Sequence, residues 1–259
     1  MLKMLDLFSG IGGFSYAGEK LVGGYETVAF CEYDKHCQKV LRKHWPDTEI
    51  INDVRELAND ADRFRGMVDI VVGGYPCQPF SQAGKRLGDQ DDRHLWPAML
   101  AVIKKVRPTW VCGENVNGHI TMGLDTVLSD LEAANYTART FVIPAVAADA
   151  PHRRDRVWIV AHTNSYGEPD GTINEKQRCG KLVADTISVR CKRESRRQSR
   201  LEFKNRDLAK RRFWEPEPAV GRVVNGLSGR VHRVRQLGNS IVPPVAARIL
   251  WAIKEAHYG

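Results

Sequence analysis

The sequence has no Cys-x-x-Cys pair, no long apolar run and no composition typical of disorder, and each absence removes a class of protein. Six cysteines (Cys31, Cys37, Cys77, Cys112, Cys179 and Cys191) are scattered singly. That spacing argues against a disulfide framework or a zinc cluster and suits a reducing compartment. No metal is expected. No apolar stretch approaches the about 20 residues that a membrane span needs, and the opening MLKMLDLFSG lacks the apolar core and small-residue cleavage site of a secretion signal. The chain is therefore expected in the cytoplasm, away from membranes. Its 259 residues, 42% of them hydrophobic, suffice for one large domain, or one domain with a small lobe.

The charge is uneven. Lys and Arg number 39 against 31 Asp and Glu, a formal +8. Residues 151 to 235 alone hold 21 basic and 10 acidic side chains, net +11, so the rest of the chain is net −3. Residues 176 to 212 hold 14 basic and 4 acidic side chains, densest at KRESRRQSR (192 to 200), and few large apolar residues from which to build a core. Such a run is commonly a solvated face. Lying between two motifs described below, it reads instead as the footprint for a polyanion, because neutralised phosphates release condensed counterions. Arg193, Arg196 and Arg197 are its candidate polyanion contacts.

Short β-rich runs alternate with helical patterns over the first 115 residues, the signature of stacked βα units and a parallel sheet. MLDLF (4 to 8), ETVAF (26 to 30), EIIN (49 to 52), VDIVVGG (68 to 74) and TWVCG (109 to 113) read as strands. GFSYAGEKLV, DKHCQKVLRKHW and LWPAMLAVIKKV read as helices between them. TARTFVI (137 to 143) and RVWIVAH (156 to 162) read as a closing pair of strands, and PPVAARILWAIKEAH (243 to 257) as a final helix with Pro near its first turn.

In open α/β sheets ligands bind beyond the carboxyl ends of the strands. The residues expected there are a glycine turn with Gly10, Gly12 and Gly13, then Glu32, Asp53, Pro76 with Cys77, and Glu114. The dinucleotide pattern GxGxxG fails because its third glycine position is Ser15, which disfavours plain NAD binding. Glu32, 22 residues beyond Gly10, stands where an acid can receive ribose hydroxyls, and Asp53 could accept from an adenine amine. Together they describe an adenosine site without a pyrophosphate requirement. Two surface carboxylates beside a tight turn are the simpler reading. Cys77 lies between Pro76 and Pro79, which force the chain out of the strand and expose the thiol, as a nucleophile needs.

These residues resemble the DNA (cytosine-5)-methyltransferase family. LDLFSGIGGF (5 to 14) is similar to the family's cofactor loop, GGYPCQPFS (73 to 81) to its nucleophile loop and GENV (113 to 116) to its Glu-Asn-Val motif. PHRRDRVWIV (151 to 160) resembles its paired-arginine strand and QLGNSIVPP (236 to 244) its closing Gly-Asn-Ser motif. Where many members have Gln before the paired arginines, this chain has His152. The resemblance implies a Rossmann-like class I methyltransferase sheet with a small, basic target-recognition lobe. Residues 1–163 would be the catalytic domain that binds S-adenosylmethionine and releases S-adenosylhomocysteine. Residues 164–230 would be the recognition region, and 231–259 a segment returning to the catalytic domain. Phe8 would stack on the adenine, Pro76 would border the cofactor, and Asn239 and Ser240 would reach it from the far end of the chain.

The chemistry requires these residue types. Carbon 5 of cytosine is a poor nucleophile until a thiolate, here Cys77, adds at carbon 6 and converts the ring to an enamine. Charge then develops on nitrogen 3, where the resemblance places Glu114, with its pKa raised once water is excluded. Arg154 and Arg156, alternating with Asp155 on one face of a strand, are implied against the base carbonyl and the adjoining backbone. Glu114 could instead be a helix N-terminal acid, and the arginines an ion-pair ladder. The target carbon lies inside the duplex, so the base must be flipped out. The loop 81 to 94, beginning with Ser81, is expected to meet DNA and to close over the base.

The expected activity is methylation of carbon 5 of cytosine in a specific double-stranded DNA sequence. The enzyme would act as a monomer in a bacterial or phage-infected cell, with a cognate restriction nuclease acting separately. The same chemistry on RNA, a catalytically idle DNA-binding regulator and a nicotinamide oxidoreductase are the alternatives.

Overall fold

β1 (Leu2–Leu7) is buried at every position but Lys3, as a central parallel strand covered on both faces must be. Its side chains divide accordingly. Leu2 and Met4 face one apolar layer, Leu5 and Leu7 the other, with a register shift between Met4 and Leu5. The computed structural model describes residues 1–76, 95–163 and 237–259.

Six further strands complete the sheet: β2 (Tyr25–Cys31), β3 (Glu49–Ile51), β4 (Ile70–Gly73), β5 (Trp110–Val116), β6 (Tyr136–Pro144) and β7 (Asp155–Thr163). Their order is β3-β2-β1-β4-β5-β7-β6. β1 to β5 pair in parallel. β7 runs antiparallel to both β5 and β6. The expected βα alternation and closing strand pair are therefore both present.

Helices cover both faces. α1 (Gly13–Tyr16) runs into a π-helical turn, Ala17–Val22. α2 (Lys35–His44) is capped by Asp34, whose side chain accepts from the amides of His36 and Cys37. Such a cap stabilises by about 1 kcal/mol. α3 (Val54–Asp60), α4 (Trp96–Val106), α5 (His119–Met122) and α6 (Leu124–Ala133) precede the last helix, α7 (Pro243–Tyr258). Val54 and Leu57 of α3, Met99 and Ile103 of α4 and Val127 of α6 pack on one sheet face. Phe14 of α1 and Val245, Ile249, Leu250 and Ile253 of α7 pack on the other. α7 starts with Pro243, as expected. The sequence reading lacks α6 and also α3 and α5, of which the last two are short and α3 is mostly polar.

Cys77, Ser81, Arg193, Arg196 and Arg197 lie outside the described residues, as does the recognition region at 164–230. Among the described residues no helix is long and apolar enough to cross a membrane, and no group of three or more His, Cys, Asp or Glu side chains could hold a metal.

Candidate active site

The turn after β1 is shaped by backbone that L side chains rarely adopt. Phe8, Gly10 and Gly12 all have positive φ, at 52°, 55° and 83°. Gly12 also lacks room for a side chain, because an added Cβ would fall 2.7 Å from the Trp45 ring. Ser9 anchors the turn: its amide donates to the Cys31 carbonyl at 3.2 Å and its hydroxyl to the Asp6 carbonyl at 2.6 Å. Phe8 is half-buried against the cluster that contains Leu5 and Leu7.

Glu32 directly follows β2, as expected, and closes on this turn. Its Oε2 accepts from the Gly10 amide at 2.6 Å and its Oε1 from the Asp34 amide at 2.7 Å. Burial raises the pKa of this carboxyl, and the bonds from Asp34 and Gly10 oppose the shift. Each oxygen keeps a second lone pair for an incoming hydroxyl. Asp53 is otherwise engaged. It caps α3 by accepting from the Arg55 amide at 2.8 Å, and it pairs with the Arg55 guanidinium at 2.8 Å. That bond holds its carboxyl below the ordinary aspartate range.

Ser15, where a third glycine would stand, donates its hydroxyl to Asp6 Oδ2 at 2.7 Å. Asp6 is fully buried on β1, and desolvation pushes its carboxyl up to about 8. The far end of the chain arrives at the same turn. A Cβ on Gly13 would lie 2.6 Å from Ile241 Cγ1 and 3.5 Å from Ser240 Oγ, so only glycine admits this approach. Ser240 is thus beside the glycine turn, while Asn239 is exposed.

Glu114 is buried at 8% exposure. It lies inside β5 rather than at its end, because β7 pairs with β5 as far as Val116↔Arg156. That placement also removes the helix-terminal alternative. Arg156 Nε is 3.0 Å from Glu114 Oε1. Burial raises the Glu114 pKa, and the charges of Arg156 and Arg154 partly offset it.

The two arginines do not share a strand face. Arg154 precedes β7 with a φ of 35°, and its Nη2 donates to the carbonyls of Gly238 at 2.8 Å and Ser240 at 2.7 Å. The turned backbone sends its side chain to the closing motif, whereas Arg156 faces Glu114.

The exit from β4 lies against the acid. A Cβ on Gly74 would sit 3.3 Å from Glu114 Oε2, and Asn115 Nδ2 donates to the Tyr75 carbonyl at 3.1 Å. Pro76 is exposed at the last described position before Cys77. Cys31, Cys37 and Cys112 are free but buried. Burial pushes the Cys31 thiol up to about 12 and raises that of Cys112, so neither offers a thiolate at neutral pH. Sequence reasoning missed Tyr33, 70% exposed beside Glu32, although an aromatic directly after a strand-end acid was a visible signal. It also missed His119.

Residues 2–219 match the family model of the C-5 cytosine-specific DNA methylases. The chain belongs to this family. Among curated relatives, the Type II methyltransferase M.Eco47II of Escherichia coli is 34% identical over 172 residues, 64% of this chain and 40% of that protein. The Type II methyltransferase M.AplI of Arthrospira platensis is 32% identical over 198 residues, 73% of this chain and 54% of that protein. The matched stretches thus span about half the length of these relatives. Among solved structures, a Spodoptera frugiperda DNMT2 mutant aligns with a TM-score of 0.65 at 19% identity, covering 98% of this chain and 100% of that one. Schizosaccharomyces pombe Dnmt2 methyltransferase gives 0.65 at 17%, covering 100% of both. The fold is the Rossmann-like methyltransferase sheet.

Proposed function

We propose that this family member transfers a methyl group from S-adenosylmethionine to carbon 5 of cytosine in a specific double-stranded DNA sequence, through a Cys77 adduct at carbon 6 of a flipped-out base. The observation that carries the reading is the buried Glu114, paired with Arg156 at 3.0 Å beside the β4 exit that leads to Cys77. A carboxyl with a raised pKa can hold a proton against nitrogen 3 as charge develops there. Arg156 keeps its charge throughout and can take the adjoining base oxygen.

The described residues suit the cofactor. Gly10 and Gly12 open the turn by their positive φ, and Gly13 has no room for a side chain. Glu32 keeps lone pairs for ribose hydroxyls, Tyr33 offers an exposed ring face for adenine, and Ser240 borders the turn from the other side. When bound, S-adenosylmethionine supplies an electrophilic methyl on a sulfonium. Cys77 as thiolate adds to carbon 6, Glu114 delivers a proton to nitrogen 3, and carbon 5 becomes nucleophilic. Once carbon 5 carries the methyl, loss of its proton to a solvent base, expulsion of the Cys77 thiolate and return of the nitrogen 3 proton to Glu114 restore the aromatic ring. Residues 164–230 are proposed to read the sequence, and Arg193, Arg196, Arg197 and Ser81 to hold the DNA. The protein would work as a monomer in the bacterial cytoplasm, with any cognate nuclease acting separately.

Mixed-sequence duplex DNA and transfer RNA, each incubated with labelled S-adenosylmethionine and then mapped for modified cytosines, test the reading. Label at one cytosine context in DNA is expected. Label on RNA alone, or none, would overturn it. With 5-fluorocytosine at the mapped position, a covalent species linked at Cys77 should accumulate and be absent from Cys77→Ala protein.

A further inference from the structure

A 2.8 Å hydrogen bond joins the Tyr75 hydroxyl to His119 Nε2. Both residues are buried, at 2% and 3% exposure, and the rings meet edge to face. Tyr75 is held on three further sides. Its ring packs on Trp96 at 5.0 Å, and Trp96 is itself fixed by donating to Asp130 at 2.8 Å. A Cβ on Gly113 would lie 3.4 Å from Tyr75 Cε1, so the ring rests on β5. The Tyr75 carbonyl accepts from Asn115. The β4 exit thus touches three consecutive residues of β5: Tyr75 on Gly113, Gly74 on Glu114, and the Tyr75 carbonyl on Asn115.

We infer that Tyr75 and His119 form a positioning pair that sets how the β4 exit seats against the Glu114 carboxyl, beside which the target base must fit. The inference rests on the proposed role of Glu114. Neither side chain touches the reacting atoms. Releasing the hydroxyl from His119 lets the Tyr75 ring tilt on Gly113, and Gly74 moves with it relative to Glu114. A misplacement near 1 Å lowers turnover by up to about a hundredfold without weakening binding. Merely filling space would require a ring at 75 and an apolar side chain at 119, with no hydrogen bond between them.

The test compares full-length wild type, Tyr75→Phe, His119→Gln, and the double variant Tyr75→Phe with His119→Leu, each assayed well below its own unfolding midpoint. Tyr75→Phe is expected to lower kcat about tenfold or more, with KM for DNA and for S-adenosylmethionine within about twofold. His119→Gln, which keeps a polar partner for the hydroxyl, should retain more activity than the double variant. In the double variant both members of the Tyr75–His119 bond are removed together, so stability should return toward wild type relative to Tyr75→Phe alone while kcat stays low. A wild-type kcat in Tyr75→Phe, or a kcat that recovers with stability in the double variant, would overturn the pair. Absence of DNA methylation by wild-type protein would instead overturn the proposed function.

Discussion

Replacing Arg156 by methionine keeps much of the side-chain volume and removes the charge facing Glu114. Glu114 Oε1 and Arg156 Nε are 3.0 Å apart, with side chains 11% and 21% exposed. Two unit charges 4 Å apart attract by about 4 kcal/mol at an effective dielectric constant of 20, and partial solvent screening reduces this to roughly 2–3 kcal/mol. Burial already raises the Glu114 pKa. Without the guanidinium, whose charge opposes that rise, it should climb further.

The pH dependence has a definite sign. Below the ordinary glutamate range the carboxyl is protonated in both folded and unfolded protein, and the ion pair contributes nothing. As pH rises through that range the unfolded carboxyl ionises first, the folded one holds its proton, and stability falls until the folded pKa is passed. Because that pKa lies higher in Arg156→Met, the stability gap from wild type should widen with pH to roughly 2–3 kcal/mol. Any constant offset comes from the lost Arg156 bond to the Asp155 carbonyl. Urea denaturation in steps from about pH 5 to about pH 9 measures the gap. Adding Glu114→Gln, which cannot ionise, should remove its pH-dependent part. A gap equal at both ends of the range, or unchanged by Glu114→Gln, would refute the assignment of Glu114 as the buried acid.

Glu32→Ala should weaken S-adenosylmethionine binding by about tenfold or more in calorimetry, since it strips the amides of Gly10 and Asp34 of their acceptor as well as removing the proposed ribose contact; unaltered affinity would exclude Glu32 from the site. Gly13→Ala should destabilise by about 1–3 kcal/mol in urea melts, because the new methyl overlaps Ile241 Cγ1, and Ile241→Ala in the same chain should relieve part of that loss. Burial pushes the Asp6 carboxyl up to about 8, so wild-type stability should fall as pH rises from the ordinary aspartate range through that value, and Asp6→Asn should gain relative stability at about pH 9 over about pH 6. Neutralising Arg193, Arg196 and Arg197 together should flatten the logarithmic salt dependence of DNA binding by up to about three units and leave cofactor affinity alone; an unchanged slope would make that stretch a solvated face.

Much of this sheet was legible because its central strands β1, β4 and β5 are short, almost wholly buried and rich in apolar residues, so each announces itself locally. β4 and the hydrophobic part of β5 needed no partner to be read. What escaped depends on partners. Glu114 looked like a strand-end residue because GENV itself does not reveal that β7 extends the pairing to Val116. α3 escaped because VRELAND is mostly polar, and Asp53 was read as a ligand acceptor where its first use is capping that helix. Arg154 was grouped with Arg156 by alternation, which holds only in extended backbone, and a φ of 35° breaks it. His119 carried no local signal at all, since its meaning comes from Tyr75, 44 residues earlier.

The antiparallel β7 explains why a motif so late in the sequence reaches the site. β1, β2, β4 and β5 run in one direction and present their carboxyl ends along one edge of the sheet, where the glycine turn and Glu32 lie. A parallel neighbour of β5 would bring only its own carboxyl end to that edge, after a crossover. Because β7 runs the other way, its amino end arrives there instead, with Arg156 in register against Val116 and within reach of Glu114. Arg154, just ahead of the strand, then meets the carbonyls of Gly238 and Ser240, and Ile241 closes on Gly13. One reversed strand therefore links the acid of the middle of the chain to the turn at its start and the motif near its end. A substitution at Arg154 should accordingly disturb the glycine turn, the proposed cofactor side, through Ser240, and one at Arg156 the proposed base side through Glu114.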